Sequence, residues 1–388
     1  MQVDATLLER VRARLIRSGA SATPSRVAEA LRDEGLVLGD STLMALVAEL
    51  RSELAGAGPL EGLMADVEVT DVLVNGPRSI WVDRGAGLER SGVALADEAG
   101  VRRLAQRLAT LAGRRLDDAS PYVDARLPDG SRLHAVIPPI APRGTCISIR
   151  VPRRRGFSLD ELVRRGSVPA AGAGWLRRIV TGRLAFLVSG GTGAGKTTVL
   201  STLLSLVPQD DRLLVVEDSS ELEPRHPHVV RLESRPANVE GVGAVTMREL
   251  VRQALRMRPD RLVVGEVRGA EVVDLLAALN TGHEGGCGTL HANSAADVPA
   301  RLEALALAAG LPREALHAQV AAGLDAVIHV GRDPEGARCV RQICVLRPRS
   351  DGLLVEAVAA LTFERDDVVR GPGLDWLSSR LAGAGVDV

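Results

Sequence analysis

Short apolar runs of strand length, each ending in glycine or acidic residues, mark the second half of the chain. They cover residues 184–188, 212–217 and 261–266. After the first run, apolar residues recur at helical spacing; these are Val199, Leu200, Leu203, Leu204 and Val207. Buried strands that alternate with helices are typical of a mostly parallel sheet covered by helices on both faces. We therefore predict an α/β domain over residues 158–388.

The preceding part of the chain has a different pattern, with shorter strands and tight turns. Residues 72–74 and 80–82 form two apolar runs around Asn75-Gly76-Pro77, which predicts a hairpin. A helix is predicted over 98–112, with four residues facing inward; these are Val101, Leu104, Leu108 and Leu111. Two further strands joined at Asp129-Gly130 and a last strand over 146–150 complete an α+β domain over residues 58–150.

The first 57 residues predict three short amphipathic helices. The first carries Leu7, Leu8, Val11 and Leu15, the second opens at Thr23-Pro24, and the third extends to Leu54. This helical N-terminal region either docks a partner or packs on the next domain, and the pattern leaves both open.

A basic segment and a hairpin flank the main body of the α/β domain. Residues 151–157 read VPRRRGF, which we interpret as a linker, and Ser158 with Glu161 forms a capping box that begins a helix. A hairpin is expected over 326–330 and 341–346, and the pattern after it is weak.

The composition narrows the class of protein. With 46% hydrophobic and 25% charged residues the chain is globular in type. Only 2% of the residues are aromatic and the net charge is −1, which disfavours a nucleic-acid-binding surface. No apolar run approaches the ~20 residues that cross a bilayer, and the N-terminus has no signal-peptide pattern. We therefore expect a cytoplasmic protein without a transmembrane segment, whose four cysteines are reduced thiols rather than zinc ligands.

A phosphate-binding pattern, G-x-x-x-x-G-K-[ST], lies between the first apolar strand and the helix that follows it. Residues 190–197 read GGTGAGKT and match every fixed position. In such a loop the backbone N–H groups and the helix N-terminus hold phosphates, Lys196 reaches the β- and γ-phosphates, and the Thr197 hydroxyl binds Mg²⁺. The predicted nucleotide-binding residues are Gly190, Gly191, Thr192, Gly193, Ala194, Gly195, Lys196, Thr197 and Thr198.

Carboxylates follow the two other apolar strands of the predicted sheet. Glu217, Asp218 and Glu221 come after residues 212–216, and Glu266 ends the next run. Acids at the carboxyl ends of parallel strands point into the ligand crevice of such a sheet. We predict that they serve the metal and the attacking water of a phosphoryl transfer, with Glu217 as a further magnesium candidate.

Two histidines lie in the glycine-rich segment 280–294, NTGHEGGCGTLHANS. His291 follows a short strand over 288–290 and is a candidate sensor of the γ-phosphate, and His283 lies in the preceding turn. A structural histidine that holds the loop is the alternative for either one. The other five we interpret as structural; they are His134, His226, His228, His317 and His329.

The segment 252–294 resembles the secretion-superfamily ATPases of type II and type IV systems. It is most similar to the CpaF-like branch, which assembles tight-adherence (Flp) pili. The resemblance extends over roughly 58–330, through DVLVNGPRSIWVD at 71–83, DGSRLHAVIPP at 129–139, the phosphate-binding loop, VVEDSSEL at 215–222 and VVRLESRPANVEG at 229–241.

The resemblance implies a Mg²⁺-dependent ATPase that forms hexameric rings. ATP would bind between the N-terminal domain and a RecA-like C-terminal domain, with Glu266 polarising the attacking water. Glu217, Asp218 and Glu221 would form the acidic box, and His283 and His291 the histidine box. Arg132 and Arg150, with Arg126 as a weaker match, would reach the phosphates.

The function that the resemblance implies is a motor. Its ring would drive inner-membrane platform proteins of a pilus or secretion machine, so the protein would be peripheral to the cytoplasmic membrane through its partners. A type IV secretion or conjugation traffic ATPase is the alternative within the family. A RecA-type nucleic-acid translocase and a non-hydrolysing scaffold are alternatives from other classes, and no specific nucleic-acid partner is expected.

Overall fold

The computed structural model describes most of the chain. The described residues are 24–33, 42–44, 46–47, 56–85, 87–151, 156–235, 237, 242–333, 335–350, 352, 354–364 and 367–387. The first helix expected in the N-terminal region lies outside them, as does most of the third. The second is confirmed as α1 (Pro24–Asp33). The chain divides into two compact units, residues 1–154 and 155–388.

The first unit contains a six-stranded antiparallel sheet with strand order β3-β2-β1-β6-β5-β4. The strands are β1 (Asp71–Val74), β2 (Ile80–Asp83), β3 (Leu88–Arg90), β4 (Tyr122–Arg126), β5 (Arg132–Val136) and β6 (Cys146–Arg150). The helices are α2 (Glu61–Ala65), after a 3₁₀ turn at Gly58–Leu60, and α3 (Glu98–Leu111). Alternate strand residues pack with α3 in one apolar core, so the predicted α+β pattern is confirmed.

One inward position of α3 was predicted wrongly. Leu111 is 39% exposed, whereas Val101, Leu104 and Leu108 are buried. The helix ends at Leu111, and the chain turns so that Leu116 fills the core beyond it.

The second unit contains a nine-stranded sheet with strand order β15-β14-β13-β12-β7-β11-β10-β8-β9. Six strands run parallel: β7 (Phe186–Gly190), β8 (Leu213–Glu217), β9 (Val229–Glu233), β10 (Arg261–Val267), β11 (Cys287–His291) and β12 (Ala326–Arg332). Three antiparallel strands extend one edge: β13 (Arg338–Pro348), β14 (Val355–Glu364) and β15 (Asp367–Arg370). The prediction of a mostly parallel sheet is confirmed.

Helices cover both faces of this sheet. On one face lie α4 (Leu159–Arg164), α5 (Ala170–Thr181), α6 (Lys196–Leu204) and α11 (Leu374–Gly383). On the other lie α7 (Met247–Ala254), α8 (Glu271–Leu279), α9 (Val298–Ala308) and α10 (Arg313–Gly323), with 3₁₀ turns at Leu255–Met257 and Ala295–Asp297. Successive residues of β8 enter opposite cores, Leu213 on one face and Leu214 on the other. This two-sided burial explains why the strands read as continuous apolar runs.

The C-terminal segment is more ordered than its weak pattern predicts. The expected hairpin is present as β12 and β13, but β14, β15 and α11 follow it. Strand β14 is rich in alanine and its middle positions are only half-buried, so its sequence lacks the alternation that marks a strand. Among the described residues, none of the helices is long and apolar enough to span a membrane.

Candidate nucleotide-binding site

The phosphate-binding pattern forms the loop that joins β7 to α6. Strand β7 ends at Gly190 and α6 begins at Lys196. Gly195 precedes the helix with φ +98°, a left-handed conformation that a residue with a Cβ rarely adopts. The glycine-rich loop therefore leads directly into the N-terminus of α6. A loop of this kind before a helix N-terminus binds phosphates through backbone N–H groups.

Lys196 lies across this loop. Its Nζ donates to the carbonyl oxygens of Gly190 (3.1 Å) and Gly191 (2.9 Å) and lies 3.3 Å from each ring nitrogen of His291. Burial lowers the pKa of Lys196, and the negative charges of Glu266 and Glu221 oppose that shift. The ammonium group of Lys196 therefore lies inside the loop, where phosphate oxygens could replace the two carbonyl oxygens as its hydrogen-bond acceptors.

Glu266 reaches the loop because β10 carries a bulge. Val264 pairs with Gly288 and Val267 with Leu290, so β10 has one residue more than β11 between these pairs. The extra residue bends the strand and re-aims the Glu266 side chain. Its Oε1 lies 3.3 Å from His291 Nε2, and the side chain is 39% exposed.

His291 ends β11 and lies opposite Gly190 in the register of β11 and β7. Burial, reinforced by Lys196, lowers the pKa of His291, while Glu266 opposes the shift. A neutral imidazole therefore connects the ammonium of Lys196 to the carboxylate of Glu266. The structure brings these three predicted site residues together at one end of the sheet.

Glu217 ends strand β8, which pairs with β10 on the side away from β11, and it is 4% exposed. Its Oε1 accepts the backbone N–H groups of Glu221 and Leu222, both at 3.0 Å. Its Oε2 is buried and has no hydrogen-bond partner among the described residues. Burial raises the pKa of Glu217 to about 7. This acid is therefore poised between its charged and neutral forms near physiological pH.

The other two members of the acidic box have different surroundings. Asp218 forms an ion pair with Arg268 and accepts a hydrogen bond from the Ser234 hydroxyl at 2.9 Å. Glu221 is exposed and close enough to Lys196 to affect its pKa. The sequence reasoning missed Arg268, since an arginine two residues after a strand-end acid carries no signal of its own.

Mg²⁺ fits the residues present only as part of a metal–nucleotide complex. Among the described residues, no group of three or more His, Cys, Asp or Glu side chains could hold a metal ion. Thr197 is half-buried in the first turn of α6, and Glu217 Oε2 is an unpartnered buried oxygen. Magnesium usually keeps several waters and takes one or two protein ligands beside substrate phosphates, which this donor set allows.

His283 is not brought to the loop. It lies in the turn before β11 begins, at the opposite end of the sheet from His291. Its Nδ1 is buried without a hydrogen-bond partner among the described residues. Its role in the site stays a prediction.

The three candidate arginines belong to the first unit and form a row across its sheet. Arg126 pairs in register with Arg132, and Arg132 with Arg150. Arg132 is paired with Asp124 at 3.1 Å, and Arg150 with Asp71 at 3.2 Å. Like charges directly opposite each other on neighbouring strands are destabilising, and Asp124 and Asp71 offset part of that repulsion.

A protein-family model described as "Type II/IV secretion system protein" matches residues 53–350. A putative conjugal transfer protein of Mycobacterium tuberculosis is 58% identical over 317 residues, which cover 80% of this chain and 90% of the relative. The type IV secretion system protein PtlH homolog of Bordetella bronchiseptica is 35% identical over 302 residues, which cover 70% of this chain and 88% of the relative.

A solved structure supports the fold. The pilus retraction motor PilT with bound ADP matches with a TM-score of 0.54 at 20% identity, covering 75% of this chain and 82% of that chain. This likeness confirms the predicted fold class, in which a RecA-like α/β domain follows a smaller α+β domain. With the family model matching most of its length, the chain belongs to the Type II/IV secretion system protein family.

Proposed function

We propose that this protein is an ATP-hydrolysing motor of a secretion or pilus machine. The observation that carries the proposal is the cluster of Lys196, His291 and Glu266 at the phosphate-binding loop. A lysine for the phosphates and a strand-end carboxylate for the water are groups that phosphoryl transfer uses, and the histidine between them contacts both.

Each residue of the cluster has a part in the proposed reaction. Backbone N–H groups of residues 190–196 and the Nζ of Lys196 hold the β- and γ-phosphates. Glu266 Oε1 orients the attacking water, and His291 detects the γ-phosphate by a hydrogen bond. Thr197 would hold Mg²⁺ when the nucleotide is bound, and the ion would offset the charge that builds up on the phosphate oxygens.

The remaining predicted residues have supporting roles in the proposal. Glu217 and Glu221 shape the acidic side of the site, and Arg132 and Arg150 are proposed as phosphate-binding residues, as the family resemblance implies. His283 lies away from this loop, and its place in the histidine box remains a prediction.

We favour a motor that powers assembly of a tight-adherence pilus, as in the CpaF-like branch. The motifs along residues 58–330 support it. The motor would then work at the cytoplasmic face of the membrane, on platform proteins that supply the membrane-spanning part of the machine.

Conjugal or type IV secretion traffic is the second candidate, because the two relatives above carry those descriptions. A deletion of the gene in its host separates the two. Loss of surface filaments with unchanged DNA transfer supports the pilus; loss of DNA transfer with filaments retained supports conjugation.

The hydrolysis itself is tested by phosphate release from ATP by the purified full-length chain, with and without Mg²⁺. We expect turnover that requires Mg²⁺ and that disappears with Lys196→Ala, which also loses nucleotide affinity. Absence of turnover, both alone and with its membrane partner, contradicts the proposal.

A further inference from the structure

A buried histidine contacts the end of strand β7, just before the phosphate-binding loop, on the side of β7 away from His291. Ser189, the last residue before the loop, is fully buried on β7, and its register partner on β12 is His329. Ser189 Oγ lies 2.9 Å from His329 Nδ1. His329 is only 8% exposed, so this hydrogen bond is shielded from water.

The backbone of β12 packs against the loop at the same level. A Cβ at Gly190 would overlap the carbonyl oxygen of Val330, the residue after His329. Further along, the Cδ of Arg338 on β13 lies 3.8 Å from the position that a Cβ of Gly195 would take. The β12–β13 hairpin therefore lies beside both ends of the phosphate-binding loop.

The chemistry of the pair explains why a histidine suits this position. Burial lowers the pKa of His329; the charge of Asp297 opposes the shift and that of Arg341 reinforces it. A neutral imidazole has one N–H and one lone pair, so its Nδ1 pairs with a hydroxyl in either tautomer. Without this partner the Ser189 hydroxyl would be buried and unsatisfied, a state that folded proteins avoid.

We propose that His329 is a positioning residue of the nucleotide site, whose hydrogen bond to Ser189 fixes the strand end from which the phosphate-binding loop departs. The inference rests on the proposed function and assigns His329 to nucleotide affinity rather than to the cleavage step. His329 acts on the phosphate-binding loop indirectly, through Ser189 and Gly190.

The chain offers a matched control in a second buried histidine. His317 on α10 is 4% exposed. Its Nδ1 accepts the Val355 N–H at 2.9 Å, and its Nε2 donates to Glu303 at 3.2 Å. These partners belong to α9 and β14 rather than to the loop. Replacing His317 tests what the loss of a buried, hydrogen-bonded imidazole does to the fold alone.

The first experiment needs no ligand. Hydrogen exchange of the full-length chain is compared for the wild type, His329→Leu and His317→Leu, since leucine keeps most of the volume and removes the hydrogen bonds. We expect amides of the peptide containing residues 190–196 to exchange about tenfold faster in His329→Leu. In His317→Leu the faster exchange should appear around residues 303 and 355 instead.

The second experiment measures binding of a fluorescent ADP analogue. We expect His329→Leu to weaken affinity about tenfold, as for the loss of one hydrogen bond, and His317→Leu to leave it within about twofold. His329→Asn should restore most of the affinity, because the amide atoms of asparagine occupy the place of Nδ1. The kcat for ATP should change less than KM in His329→Leu.

Two results overturn the inference. One is loop exchange in His329→Leu that matches the wild type; the other is equal loss of affinity in the two leucine variants. If the wild-type protein binds ADP but does not hydrolyse ATP, the proposed function is wrong, and the comparison of ADP affinities remains valid. If the wild type binds no nucleotide, the exchange experiment still decides whether His329 orders the loop.

Discussion

Strands β8 and β10 end in nearly the same sequence, yet their two glutamates differ in burial and in hydrogen-bond partners. Strand β8 reads LLVVE and β10 contains LVVGE, and both strands lie side by side in the sheet. Glu217 is buried under its own loop, with a pKa of about 7. Glu266 is more than one-third exposed and contacts His291. A strand-end acid is thus a general signal whose chemistry depends on the backbone around it.

The residue that separates the two cases is Gly265. A Cβ at this position would lie 2.5 Å from Glu217 Cγ, so Glu217 occupies the space that a side chain would need. The bulge at Gly265 and Glu266 turns Glu266 toward the phosphate-binding loop. Gly265 therefore leaves room for the buried Glu217 and lies within the bulge that contains Glu266.

The largest effect is expected from Glu266→Gln. If Glu266 orients the water, turnover should fall by about 10²–10³-fold while affinity for ATP stays within a few-fold. Steady-state phosphate release and binding of a fluorescent ATP analogue measure the two quantities. Wild-type turnover in this variant would show that Glu266 does not orient the attacking water.

Glu217→Gln should change stability rather than only turnover. The folded-state pKa of Glu217 is raised from 4.5 to about 7, so between these values the folded state binds more protons than the unfolded state. The wild-type free energy of unfolding should therefore fall as pH rises through this window, by up to about 3 kcal/mol from this group.

The glutamine variant lacks that ionisation. We expect it to be more stable than the wild type at pH 8 and to lose less stability between pH 5 and pH 8. Urea denaturation at both pH values measures the difference, with Glu266→Gln as the control for an exposed acid. Equal pH dependence in all three proteins would show that burial does not perturb Glu217.

Gly265→Ala should create a steric overlap between β10 and the Glu217 side chain of β8. The added Cβ overlaps Glu217, which is backed by the core, so we expect a loss of about 1–3 kcal/mol of stability and reduced turnover. Gly383→Ala is the control, because a Cβ there meets nothing within 4 Å among the described residues. Equal unfolding midpoints for the two variants would show that β8 and β10 shift apart at little cost.

The smallest effect is expected from Arg268→Ala. Arg268 links the loops after the two strands through its ion pair with Asp218, but its side chain is 59% exposed. Such pairs contribute about 0–1 kcal/mol. A double-mutant cycle with Asp218→Ala, measured by urea denaturation, should give a coupling free energy within that range. A larger coupling would mean that the two strand ends act as one unit.

Sequence reasoning found the parts of the site that carry a pattern. Lys196 lies in a fixed motif, and Glu266 and His291 follow apolar strands, so the loop and its flanking residues could be located in advance. The bulge that aims Glu266 could not, because it depends on the pairing of β10 with β11, which lies outside local sequence. The same reason hides the difference in burial between Glu217 and Glu266.

Long-range pairing also limits what the pattern says about the fold. The hairpin at Asn75-Gly76-Pro77 and the capping box at Ser158 are local signals, and both are present. Strand β14 is held by β13 and by Phe363 packing on α5, and neither contact is visible in its alanine-rich sequence. The sequence predicts only a structural role for His329, because its partner Ser189 is 140 residues away and leaves no local signal.

The C-terminal strands and helix have a practical consequence for anyone who trims this protein. The family match ends at residue 350, yet β14 pairs with β13 beyond that point, and Leu377 and Leu381 of α11 are fully buried. A fragment cut at residue 350 would present β13 as a bare sheet edge beside an uncovered apolar face, the arrangement that promotes aggregation. Shortened versions for crystallisation or biophysics should therefore retain residues through at least 383.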